Sequence, residues 1–159
     1  MSVQSVKEYL EAFGLSDRVR EFEVSSATVE LAAAALGTEC ARIAKSITLY
    51  DADNTCLMIV AAGDVKIDNA KYKAKFGFKA RMMSFEDALA ATGHAVGGIC
   101  PFALPKTGVR VYLDESLRRF DTVYPAAGSS ASAVRLTCDE LERASEAIEW
   151  IDVCKLREA

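Results

Sequence analysis

Lys45 is the residue whose type least fits its surroundings. It stands in the run Ile43-Ala44-Lys45-Ser46-Ile47, which otherwise favours a buried strand. Burying an ammonium is costly unless it faces a cleft or meets a partner, so an ammonium at this position implies fixed positive charge at a site. The plainer alternative is an edge strand on which Ile43, Lys45 and Ile47 share a face, with the lysine stem lying over apolar surface and its head in water.

Two small-residue segments are the next candidates. Thr92-Gly93-His94-Ala95-Val96-Gly97-Gly98-Ile99-Cys100-Pro101-Phe102 joins a glycine pair to a proline, which lets backbone approach a ligand closely and fixes the chain beyond it. It lacks both G-x-x-x-x-G-K-[ST] and G-x-G-x-x-G, so neither a phosphate loop nor a dinucleotide loop is indicated. A bulge and turn with structural glycines is the alternative. Ala126-Ala127-Gly128-Ser129-Ser130-Ala131-Ser132 could present N–H groups and hydroxyls to an anionic or carbonyl oxygen, or serve as a plain turn.

His94 is the single histidine, so any Ser-His-Asp, Cys-His or two-histidine metal mechanism would have to pass through it, and a hydrolytic triad is disfavoured. Cys100 would be a nucleophile only with a lowered pKa, and a lone cysteine more often packs as a small apolar residue. The five cysteines are odd in number, far apart and without a C-x-x-C pair, which points to reduced thiols and to no metal site.

The elements that must position these groups follow from periodicity. Ser5–Phe13 predicts a helix with Ser2 or Ser5 as its cap, Val19–Val24 a strand, and Thr28–Leu36 an alanine-rich helix stopped by Gly37. Ile43–Tyr50 and Thr55–Ala62 flank Asp51-Ala52-Asp53-Asn54 and read as a hairpin. A basic helix over Asp68–Phe76, a short strand over Ala80–Met83 and a helix over Ser84–Thr92 come next. Gly93–Gly108 holds four of the nine glycines and two of the three prolines, so it is ordered loop. Strands at Val109–Leu113, Thr122–Tyr124 and Ser132–Leu136, a helix capped by Thr137 and running through Ala144, and a last strand within Ile148–Val153 complete the chain.

About seven strands interrupted by short helices exclude a doubly wound parallel sheet and a sandwich. The expected class is α/β of the α+β kind, a mixed and partly barrel-like sheet with flanking helices. With 159 residues, 51% apolar and 26% charged, one soluble domain over 1–159 is expected. No apolar run reaches membrane-spanning length, and Lys7, Glu8 and Glu11 interrupt any leader-like start, so cytoplasmic retention is expected. The net charge of -4 argues against broad nucleic-acid binding, yet six cations between Lys66 and Arg81 face only Asp64 and Asp68 nearby, which allows a local basic patch.

Taken together, the alanine-rich helix ending Leu36-Gly37, the lysine strand Ile43–Ile47, Thr92-Gly-x-x-x-Gly-Gly-x-x-Pro101-Phe102, Ala127-Gly128-Ser129 and Val134-x-Leu136-Thr137-x-x-Glu140-Leu141 resemble the YbaK family. These are the prolyl-tRNA-synthetase insertion-domain-like, or synthetase-associated, deacylases. The resemblance spans nearly the whole chain. It implies hydrolysis of the ester joining a wrong, small amino acid, such as cysteine on a proline tRNA, to the tRNA 3' end, without metal or organic cofactor. The implied partners are aminoacyl-tRNA and a synthetase, with no membrane involved.

By position, Lys45 resembles the family's functional lysine, and Gly97, Gly98, Pro101 and Gly128 resemble the loops around the aminoacyl group. Ser46, His94, Ile99, Cys100, Phe102 and Ser129 are implied as their neighbours at the substrate. Lys45 would hold the terminal nucleotide or the tetrahedral intermediate, with N–H groups of Gly97-Gly98 and Gly128-Ser129 completing an oxyanion site. The tRNA 2'-hydroxyl, or the substrate's own thiol where the amino acid is cysteine, would activate the water or attack the ester. Ala127-Gly128 departs from a glycine pair found in some relatives. Against this stand a non-catalytic binding module of the same fold and a thiol enzyme using Cys100.

Overall fold

A computed structural model describes residues 3–23 and 28–157. Val24, the expected end of the first strand, and Ser2, one of the expected caps, lie outside the described residues. Helix α1 (Val3–Glu11) buries Val6 and Leu10, one turn apart, against the sheet. A short 3₁₀ turn, Ser16–Arg18, leads to β1 (Val19–Glu21). Helix α2 (Val29–Leu36) starts where the Thr28 side chain accepts a bond from the Leu31 N–H, and ends at Gly37.

The hairpin forms as its turn residues predict. Strand β2 (Ile43–Tyr50) pairs antiparallel with β3 (Cys56–Ala62), with Lys45 opposite Ala61. Every residue of β3 is buried, which explains an apolar run without alternation: the strand is covered on both faces. Each of its large side chains contributes on the order of 1.5–3 kcal/mol by leaving water. At the turn, Arg110 grips the Asp51 carboxylate with two bonds of 2.6 and 3.0 Å.

Beyond the hairpin come β4 (Val65–Ile67), α3 (Asn69–Phe76), α4 (Phe85–Thr92), β5 (Val109–Asp114), β6 (Thr122–Pro125), β7 (Ser132–Val134), β8 (Leu136–Thr137), α5 (Cys138–Ser145), β9 (Trp150–Ile151) and β10 (Cys154–Leu156). The main sheet has six strands in the order β8-β6-β2-β3-β5-β9 and curls into a half-barrel with helices outside. It is mixed: β2 runs parallel to β6, and β3 to β5, so the expected α+β class holds. Two small two-stranded sheets, β1-β7 and β4-β10, complete the rim.

The strand count exceeds expectation because segments change partners. Ser132–Leu136 is not one strand: β7 pairs with β1, the chain breaks at Arg135, and β8 pairs with β6. Ala80–Met83 forms only an isolated bridge between Met82 and Leu49. The last expected strand shrinks to Trp150–Ile151, and β4 and β10, both too short to show a period, find each other across the fold. Thr137 and Glu140 form the reciprocal capping box that starts α5.

Candidate active site

A cavity of about 230 Å³ opens where α2, β2, β6 and the two small-residue loops converge. Ile43, Ala44, Lys45 and Ser46 form its strand wall, Thr28, Val29 and Ala32 its helix wall. Val96, Gly97 and Ile99 enter from the first loop, and Tyr124, Ala126, Ser132 and Ala133 from β6 to β7. A volume of this order accommodates a small side chain, and the lining is mostly apolar with a few polar groups.

Lys45 is half-buried, and its Nζ donates to the Val65 carbonyl. That bond uses one of the three ammonium donors. Burial lowers its pKa below the ordinary lysine range, and the nearby Arg157 lowers it further, against the opposing pull of Asp64 and Glu30. Beside it the Ser46 Oγ is buried without a hydrogen-bond partner among the described residues.

The loops meet each other more tightly than they meet the cavity. A Cβ at Gly98 would lie 2.7 Å from both Cα and N of Ser129 and 2.8 Å from the Gly128 carbonyl carbon. The close backbone approach that the glycine pair allows is therefore between loops. The Gly98 N–H donates to the Ala95 carbonyl at 2.9 Å, closing a turn in which Gly97 has φ +90°, a value that side-chain-bearing residues rarely adopt. The Ser129 N–H donates to Ser132 Oγ at 3.2 Å. The Gly98 and Ser129 amides are thus committed, those of Gly97 and Gly128 donate to no acceptor among the described residues, and Gly97 is the one of the four on the cavity wall.

His94, Cys100, Pro101 and Phe102 are buried and do not line this cavity. His94 is 0% exposed, with Nε2 2.8 Å from the Phe102 carbonyl and 3.6 Å from the Cys100 sulfur. A carbonyl only accepts, so Nε2 carries the proton and Nδ1 is a lone pair without a partner among the described residues. Burial lowers the His94 pKa, so the ring is neutral at pH 7. Burial pushes the Cys100 thiol up to about 12, the reverse of what a nucleophile needs. These residues fasten the Gly97 turn from behind.

Ala126 and Ser132, the ends of the second small-residue segment, also line the cavity, as do Thr28, Val29, Ala32, Tyr124 and Ala133, which sequence reasoning did not single out as site residues. The alanine-rich composition of α2 hints at close packing there; Tyr124 offers no sequence signal. In the basic segment, Lys71 is tied to Asp152 at 3.0 Å and Lys75 to Glu149 at 2.7 Å, and no residue of Lys66–Arg81 lines the cavity. No helix among the described residues is long and apolar enough to cross a membrane.

Comparison with known proteins follows the same outline. Residues 23–144 match the aminoacyl-tRNA editing domain. The chain is 50% identical over 155 residues to the uncharacterized protein YwhH of Bacillus subtilis (strain 168), covering 98% of both. Among solved structures it is similar to a candidate trans-editing enzyme for prolyl-tRNA synthetase, with a TM-score of 0.85, 28% identity and 96% of each chain covered. It is likewise similar to the hypothetical protein APE2540, with a TM-score of 0.84, 28% identity, and 95% and 99% of the two chains covered.

Proposed function

The chain belongs to the aminoacyl-tRNA editing domain family, and from that premise we propose that it hydrolyses the ester of a tRNA charged with a wrong, small amino acid. The observation that supports this most directly is the cavity itself: Lys45, Ser46 and the Gly97 turn surround an apolar space of about 230 Å³. One domain spanning 1–159 and working in the cytoplasm is part of this reading.

In the proposed reaction the aminoacyl side chain enters among Val29, Ala32, Ile99 and Ala133. Water attacks the ester carbonyl carbon, the C=O electron pair moves onto oxygen, and a tetrahedral oxyanion forms. The Gly97 N–H and the Lys45 ammonium stabilise that charge, a kind of contact whose removal typically slows turnover by 10²–10³. The intermediate then collapses with cleavage of the carbon–O3' bond. The leaving 3'-oxygen takes the proton that the attacking water gives up, and the amino acid and free tRNA separate.

Among the described residues no carboxylate or imidazole lines the cavity, and His94 is sealed off behind the loop. An aminoacyl ester is already activated, so positioning and oxyanion stabilisation suffice. The neighbouring 2'-hydroxyl of the terminal ribose assists the water. The second-sieve role is consistent with the size: a synthetase pocket separates amino acids differing by one methylene by only about 1–3 kcal/mol.

The test is release of amino acid from tRNA charged with cysteine, alanine, serine or proline, by wild type and by Lys45→Ala. Hydrolysis that collapses in the variant supports the deacylase. No release across the panel would turn the reading to a binding module of this fold. Normal turnover of a 2'-deoxy substrate would remove the 2'-hydroxyl from the mechanism.

A further inference from the structure

A second hollow, of about 520 Å³, adjoins the first and shares Tyr124 with it. Its remaining lining is Asp17, Arg18, Arg20, Thr122, Arg135 and Thr137. Three arginines against one carboxylate is an unusual surplus on a chain of net charge -4. We infer that this hollow is an RNA track: it takes the phosphodiester backbone of the tRNA 3' strand next to the aminoacylated nucleotide.

The fold builds the track from distant pieces. Strand β1 carries Arg20 opposite Ala133 of β7, and Arg135 sits at the break where the chain leaves β7 for β8. Strand β8 then pairs with β6, setting Thr137 opposite Thr122 two residues before Tyr124. The break that splits the expected single strand is thus what puts Arg135 beside Tyr124. Arg18 is committed to Glu140 at 2.5 Å, but Arg20 and Arg135 are exposed and have no carboxylate partner among the described residues.

Two unpaired guanidiniums at one site attract anions, and the planar fork suits phosphate oxygens. Tyr124 borders both spaces, so a strand lying over Arg20 and Arg135 has its end delivered to Lys45. The basic face of α3, by contrast, has Lys71 and Lys75 already paired and adds nothing to the cavity lining. This placement resolves how an acidic chain holds a polyanion: a few unpaired cations sit beside the site, and net charge is immaterial.

The inference rests on the deacylase reading for its substrate, so its test separates the two. Binding of an uncharged RNA minihelix ending in CCA is measured against salt for wild type, Arg20→Ala/Arg135→Ala and the corresponding double lysine variant. Hydrolysis of charged tRNA and of a 3'-aminoacyl-adenosine ester is measured in parallel. The alanine pair is expected to weaken RNA binding about tenfold near 0.1 M salt and to lower the log–log salt slope by about 1.4, two single-strand phosphate contacts. The lysine pair restores most of the slope, and the adenosine ester, which has no phosphodiester, is cleaved within about twofold of wild type.

An unchanged salt slope in the alanine pair overturns the track even if the deacylase is confirmed. So does an equal change in Lys73→Ala/Lys79→Ala, which removes the same charge from the α3 face, or competition by AMP as effective as that of the RNA. Arginine-dependent RNA binding without any hydrolysis keeps the track and removes the deacylase. Thermal melting of each variant checks the fold, which the exposed positions of Arg20 and Arg135 leave undisturbed.

Discussion

Gly98 and Ser129, on separate loops, touch backbone to backbone: a methyl group at Gly98 would lie 2.7 Å from the Cα and the amide nitrogen of Ser129. The contact clamps the Gly97 turn to the β6–β7 connection and thereby sets one wall of the cavity. Neither loop can shift without moving the other.

Gly98→Ala is therefore expected to lower stability by about 1–3 kcal/mol and to depress turnover, because the obstructing atoms are main chain and cannot rotate away. Gly77→Ala is the comparison, with φ +83° but open space around it, and should show only the backbone strain of about 1 kcal/mol and full activity. A wild-type melting temperature for Gly98→Ala would show that the loops are not clamped.

Lys45→Ala is expected to reduce kcat/KM by at least about 100-fold, and Lys45→Arg to retain part of it. Since the ammonium is the working form and burial lowers its pKa, activity should fall on the alkaline side at a lower pH than an ordinary lysine would give. Lys45→Arg, charged at all accessible pH, should lack that limb. The same shift has a stability consequence. Between the lowered folded pKa and the higher unfolded one, the unfolded chain binds more protons, so stability rises with pH there, and Lys45→Met should flatten the rise in a melting series.

Cys100 is expected to resist alkylation by iodoacetamide in the native protein, because burial pushes its thiol up to about 12 and covers it completely. Peptide mass spectrometry of native against denatured protein reads this. Native modification of Cys100 accompanied by loss of deacylation would revive the thiol mechanism. Cys100→Ala should keep its activity and lose a modest amount of stability from the lost packing.

Ile99→Ala enlarges the cavity at its loop wall and should shift preference toward a larger amino acid. Each additional methylene accommodated is worth about 1–3 kcal/mol in relative kcat/KM. Competition between tRNAs charged with two amino acids of different size reads the ratio directly, and an unchanged ratio would place the aminoacyl group elsewhere.

Local signals in the sequence determined much of this protein. The hairpin could be read from Asp51–Asn54 between β-rich runs, the helix starts from Thr28, Ser84 and Thr137, and the mixed α+β class from the succession of short elements. Lys45 stood out because a charge in an apolar strand is a local contradiction, and the two loops because small residues were concentrated there. Such features reside in a few adjacent residues, so neighbours suffice to show them.

Tertiary structure alone decided what these residues face. Backbone pairing split Ser132–Leu136 between two sheets and brought β4 to β10, because ladder partners are chosen by the whole sheet rather than by a short strand's own pattern. Burial made His94 and Cys100 interior groups, although the family resemblance implied them beside the substrate. Hydrogen bonding committed the Gly98 and Ser129 amides and left that of Gly97. Arg20 and Arg135 lie far apart in the chain, and only the register of β1 on β7 sets them around one hollow beside Tyr124. Long-range pairing, burial and amide accounting are properties of the folded ensemble of contacts, and a linear reading has no term for them.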